Sequence, residues 1–144
     1  QPNEVPVEVQ EVSFRSIDGK SVTLSQLRGK VVFINFWATW CPPCIAEMPT
    51  IQKLKNIYAS NEDVVFLLVD VDNKPEKAKE FMDNRKYTLP VYNATSSIPD
   101  VLFKGPLPTT TVLNKEGKLV YHGEGAANYA NKKFIAFMDK LIKE

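Results

Sequence analysis

An α/β chain with a mixed sheet flanked by helices is what this sequence predicts, on three observations. The runs "VVFINFW" (31–37) and "VVFLLVDV" (64–71) are nearly unbroken apolar and β-branched, as strands covered on both faces are. Between them Ile45, Met48, Ile51, Leu54, Ile57 and Tyr58 recur at three- and four-residue spacing, a helical period. Strand, helix and strand in that order make two parallel strands with a right-handed crossover. Farther on, "TTTVLN" and "KLVYHG" flank a "KEG" turn and read as an antiparallel hairpin, which makes the sheet mixed.

The remaining elements follow in chain order. Residues 5–14, "VPVEVQEVSF", alternate apolar and polar side chains and predict a half-buried strand. "SIDGKSVTL" then predicts an N-terminal hairpin turning at Asp18-Gly19. "SQLRGK" predicts one helical turn closed by Gly29. Pro49 falls inside the long helix, where the missing N–H predicts a kink. Asn73 and Glu76 have the spacing of a capping box opening a helix that reaches about residue 86, with Ala78, Phe81 and Met82 inward. "LPVYNA" predicts a short strand, and residues 97–104 one or two helical turns. A last helix carries Phe134, Phe137, Met138, Leu141 and Ile142 as its apolar stripe, with lysines on the solvated side.

At 144 residues, 44% hydrophobic and 24% charged, the chain has the size and composition of one soluble domain, 1–144, with only residues 1–4 expected to be disordered. Eighteen basic residues stand against seventeen acidic ones, and no basic block occurs, so neither nucleic acid nor an anionic membrane surface is an expected partner. No apolar run is long enough to span a bilayer. The chain opens on Gln1, not Met, which predicts that something upstream was removed, a signal peptide or membrane anchor being one such segment. A monomer is expected.

Both cysteines, Cys41 and Cys44, lie in "NFWATWCPPCIAEMP" (35–49). As a staple the pair is weak, because a bridge over two residues constrains the unfolded chain little. As a metal clamp it lacks partners, since structural zinc takes four ligands and the only histidine, His122, is far along the chain. No metal and no cofactor is therefore expected. The third reading is a reactive dithiol. Cys41 falls where a buried strand meets a helix, and unpaired amides and the helix dipole favour a thiolate there. Cys41 is then the accessible nucleophile and Cys44, one turn inside, the more buried resolving thiol; two cysteines three apart on a first turn can meet as a disulfide.

"FWATWCPPC" resembles the thioredoxin superfamily active site. The wider pattern, "LSQLRGKVVFINFWATWCPPCIAEMP", "VVFLLVDVD" and "PLPTTTVLNKEGKLVY", resembles thiol–disulfide oxidoreductases of the TlpA/ResA/DsbE type. The resemblance implies a thioredoxin-like fold with an N-terminal β-hairpin and a central αβ insertion. It implies a cis proline at Pro108, with Pro106 as a nearby competitor, and a substrate-binding backbone at Leu107. Thioredoxins carry a buried acid on the strand before the motif. This chain has Asn35 there, which cannot exchange a proton and reads as a core amide. The TlpA/ResA group instead places an acid three residues after the second cysteine, the position of Glu47, which could take the proton of Cys44.

Pro42 and Pro43 remove two amide donors from the first helical turn, leaving the Cys44 amide and the dipole to hold a Cys41 thiolate. That places its acidity nearer thioredoxin than DsbA, and predicts a reducing couple. Trp40, Pro42 and Pro43 would face substrate, whereas Trp37 reads as core. Asp70 and Asp72 read as loop caps and His122 as a surface or hydrogen-bonded side chain. By resemblance the partners are client protein disulfides and a membrane thiol donor, in an extracytoplasmic, periplasmic setting that includes cytochrome c biogenesis. The lack of spare cysteines fits an oxidising compartment. Two alternatives stand beside this: a cytosolic tryparedoxin- or nucleoredoxin-like reductase, and a metal chaperone using the dithiol as a soft ligand pair.

Overall fold

The computed structural model describes residues 7–144. One seven-stranded mixed sheet runs through it, with strands β1 (Ser13–Ser16), β2 (Ser21–Thr23), β3 (Val31–Trp37), β4 (Val64–Asp70), β5 (Val91–Ala94), β6 (Thr109–Leu113) and β7 (Leu119–Glu124) in the order β2-β1-β5-β4-β3-β6-β7. β3 pairs in parallel with β4 from Val31↔Val64 to Trp37↔Asp70, and antiparallel with β6 from Val32↔Leu113 to Phe36↔Thr109. All seven residues of β3 are buried, as a strand with neighbours on both edges and packing on both faces requires.

Side chains alternate between the two faces of β3. Val31, Phe33 and Trp37 join a cluster with Cys44, Met48, Ile51 and Leu54 of α2 (Pro42–Ile57), Ala78, Phe81 and Met82 of α3 (Pro75–Asn84), and Phe134, Met138 and Leu141 of α4 (Lys132–Lys143). Val32, Ile34 and Phe36 meet Val9, Val12, Leu24 and Leu102 on the other face, which has no long helix. The two parallel crossovers, β3-α2-β4 and β4-α3-β5, advance in the same direction across the sheet, so their helices share a face.

Three local expectations are corrected. Within residues 5–14, Val7–Gln10 is a helical turn, α1, and the strand starts only at Ser13; residues 5 and 6, like the disorder expected at 1–4, lie outside the described residues. Val9 and Val12 are buried three apart, a spacing that a helical turn serves and strict alternation does not. The Asn73–Glu76 capping box is absent: Asn73 has φ 53°, Lys74 takes the cap position of α3, and Asp70 accepts the amides of Asp72 (3.0 Å) and Lys74 (2.8 Å) instead. Ile57, expected on the apolar stripe of α2, is 51% exposed at the helix end. Residues 97–104 make a single turn, closed by the Leu102 and Phe103 amides on Pro99 O.

Candidate active site

Cys41 and Cys44 are joined as a disulfide with Cα atoms 5.3 Å apart. Cys41 is the N-cap of α2, and its Sγ accepts the Cys44 amide at 3.3 Å. Pro42 and Pro43 fill the first two helical positions, where an N–H would lack an intrahelical partner in any case. Of the amides in that first turn, the Cys44 N–H is thus the one that reaches the sulfur. Both sulfurs are deeper than the motif alone predicts: Cys41 is 3% exposed, not open, and Cys44 is 0% exposed. The order of access is the expected one, but a partner must press closely to reach Cys41.

Glu47 stands one turn beyond Cys44 on the same face of α2, a stripe position otherwise filled by Met48, Ile51 and Leu54. It is 2% exposed. Its Oε1 accepts Asn35 Nδ2 at 2.8 Å and its Oε2 accepts the Ala127 amide at 3.1 Å. Burial pushes its pKa up to about 7, against the pull of these two donors. Asn35 comes from β3, and its Nδ2 also donates to Thr110 Oγ1 at 2.9 Å, across the Asn35↔Thr110 register pair. Asn35 Oδ1 has no partner among the described residues. Thr50, a further turn along α2, donates to Glu47 O at 2.7 Å and accepts the Tyr129 amide at 3.1 Å, tying the segment that carries Ala127 to the helix.

The Leu107–Pro108 peptide is cis, and Pro106 is not. Because Phe36 pairs with Thr109, Pro108 lies beside the end of β3 from which the chain departs toward Cys41. Neither the amide nor the carbonyl of Leu107 makes a hydrogen bond among the described residues. Trp40 is 65% exposed, with its indole Nε1 donating to Asp72 Oδ2 at 2.7 Å, while Trp37 is fully buried. Pro42 and Pro43 are exposed. Trp40, Pro42 and Pro43 adjoin Cys41 in the chain, and the Leu107–Pro108 peptide lies at the same end of β3. His122 lies elsewhere, between Val101 O (3.2 Å) and Glu124 Oε2 (3.1 Å).

Sequence reasoning did not find Thr110, Ala127 or Thr50, nor Asp72 as the anchor of Trp40. Asn35 and Glu47 were each singled out, but nothing in their spacing joined them. Only for Thr110 was there a signal, since pairing the strand after Pro108 with "VVFINFW" sets it near Asn35.

A redoxin family model matches residues 5–134. The chain belongs to the redoxin family. Thiol-disulfide oxidoreductase ResA of Halalkalibacterium halodurans is 37% identical over 139 residues, which are 93% of this chain and 76% of that protein. The chain spans less than two thirds of several other ResA relatives, 57% of that from Oceanobacillus iheyensis. Among solved structures, a putative protein disulfide isomerase from Bacteroides thetaiotaomicron superposes with a TM-score of 0.78 at 28% identity, covering 94% of this chain and 91% of that one. The exposed lipoprotein thioredoxin of Streptococcus pneumoniae superposes with a TM-score of 0.69 at 27% identity, covering 92% and 98%. This redoxin-family chain therefore has a thioredoxin-like fold, and its two cysteines have the spacing of a redox-active disulfide.

Proposed function

We propose that this redoxin-family protein reduces protein disulfides, and that the structure is the oxidised product of its own reaction. In the reduced protein the Cys41 thiolate attacks one sulfur of a client disulfide. A Cys41–client bond forms and a client thiolate leaves. Glu47 takes the proton of Cys44, the Cys44 thiolate attacks Cys41 Sγ, and the second client sulfur departs. Two electrons pass to the client, and the Cys41–Cys44 bond is restored. An external dithiol must then return two electrons, and a membrane thiol donor fits that role. Trp40, Pro42 and Pro43 offer the docking surface, and the free amide and carbonyl of Leu107 beside Pro108 receive an extended client segment.

The observation that carries this reading is the buried Glu47 carboxyl one turn behind a fully buried Cys44, which gives the less accessible thiol a base of its own. Extracytoplasmic action is supported by the lipoprotein and ResA relatives and by the absence of spare cysteines. No helix among the described residues is long and apolar enough to cross a membrane. The test is Cys44→Ala in the compartment of origin. It should accumulate mixed disulfides that dithiothreitol releases, and Cys41→Ala should accumulate none. Equal trapping by both variants would refute the assignment of nucleophile and resolving thiol.

A further inference from the structure

The carboxamide of Asn35 faces a carboxyl that must change its proton count during the reaction. In the structure Nδ2 gives its two hydrogens to Glu47 Oε1 (2.8 Å) and Thr110 Oγ1 (2.9 Å), while Oδ1, fully buried, has no partner among the described residues. That arrangement suits an ionised carboxylate, which only accepts. A protonated Glu47 has an O–H to place. Its Oε2 already receives the Ala127 amide, so the proton belongs on Oε1, where it would meet the donor Nδ2. A half-turn of the carboxamide exchanges Oδ1 for Nδ2. The Glu47 O–H then donates to Oδ1, the Thr110 hydroxyl turns its hydrogen from Tyr129 to Oδ1, and Nδ2 takes the unpartnered place. This last torsion of Asn is soft and roughly two-fold, so the half-turn needs no backbone movement.

We propose that Asn35 is a positioning residue for the exchange reaction: its carboxamide reverses each time Glu47 takes up or returns a proton, so that one side chain serves both states of a carboxyl closed to solvent. The proposal rests on the proton-accepting role given to Glu47 above. One proton leaves the Cys44 thiol and arrives on Glu47 Oε1, and no electron moves in that step. It also accounts for an amide at position 35. An aspartate there would put two carboxyls in hydrogen-bond contact competing for one proton, and a leucine would supply neither donor nor acceptor.

The titratable groups facing Glu47 are few. Its own helix and cap contribute Cys44 and Cys41, and the segment before α4 contributes Tyr129, whose hydroxyl burial holds neutral. β3 and β6 contribute the uncharged Asn35 and Thr110. In the oxidised protein the cysteines do not titrate, so Glu47 is the group of this cluster that changes charge near neutral pH.

The test is nuclear magnetic resonance of oxidised, isotope-labelled protein across about pH 5 to about pH 9, with the Glu47 carboxyl carbon and the Asn35 side-chain amide followed together. The expected result is that both Asn35 amide protons move upfield as pH falls, with the midpoint of Glu47, and stand still in Glu47→Gln. Asn35 signals that hold constant while Glu47 titrates would overturn the proposal. In Asn35→Asp the Glu47 midpoint should rise by more than about one unit, and an unmoved midpoint would overturn it too. Whether Glu47→Gln slows disulfide exchange is a separate measurement, so failure of the catalytic reading is told apart from failure of the amide reversal.

Discussion

Replacing Glu47 by Gln should flatten the pH dependence of stability of the oxidised protein. Burial raises this carboxyl from 4.5 to about 7 in the fold, and the unfolded chain returns it to the ordinary value. Between those two values the folded protein keeps a proton that the unfolded chain has released, so this group's contribution is fully present below 4.5 and is lost as pH rises to about 7. At about 1.4 kcal/mol per unit the loss amounts to about 3 kcal/mol. Gln does not ionise and has no such slope. With the Asn35 carboxamide reversed, the Gln NH2 donates to Oδ1 as a protonated Glu47 would, but it carries a second hydrogen that the O–H lacks, and leaving that donor buried and unpaired costs about 1–3 kcal/mol. The variant should therefore be the less stable protein in acid and draw level with, or pass, the parent in mild alkali. Urea unfolding followed at a series of pH values measures both curves. Every other carboxyl is common to the two proteins, so their difference isolates Glu47. Curves that run parallel from about pH 4.5 to about pH 8 would refute the reasoning.

The two prolines of the first turn lead to a second expectation. With the Cys44 amide alone reaching Cys41 Sγ, equilibration against defined thiol buffers should give a potential near the thioredoxin end, about −270 mV, and a value above about −180 mV would contradict it. Gly123→Ala should cost about 1–3 kcal/mol by denaturant unfolding with disulfide exchange retained. A Cβ there would stand 2.5 Å from Tyr121 Oη and 2.9 Å from Cζ, and the Tyr121 ring is packed edge-on against Tyr129 and Phe134.

Elements whose burial comes from sequence-adjacent residues were legible. β3, β4 and α2 declare themselves because seven to sixteen consecutive residues repeat one physical pattern. The hairpin at Gly19 and the turn ending at Gly29 were legible because φ of 90° and 93° favours glycine. Short segments were not. Four residues of α1 cannot distinguish a period of two from a period of three, and the start of α3 is decided by Asp70, which reaches it from the end of β4. The site divides in the same way. Cys41 and Cys44 follow from the motif, because the chemistry sets their spacing along one chain, whereas Pro108 and Glu47 came from the family resemblance. The Ala127 amide on Glu47 comes from 80 residues away, and Asp72 reaches Trp40 across 32. Contacts of that kind are set by how the loops close over the sheet, and no local pattern encodes them.

The segment between β5 and β6 is anchored from beneath, by Leu102 in the lower cluster and by Phe103 stacked on Phe36 at 4.7 Å, while Val101, Lys104, Gly105 and Pro106 look outward. The sulfur-bearing helix springs from a strand hydrogen-bonded along both edges, and this segment shares none of those rungs. Mutational drift can thus redraw the outward positions while the two sulfurs keep their foundation. That outer surface and the frame beneath the disulfide are free to change at separate rates.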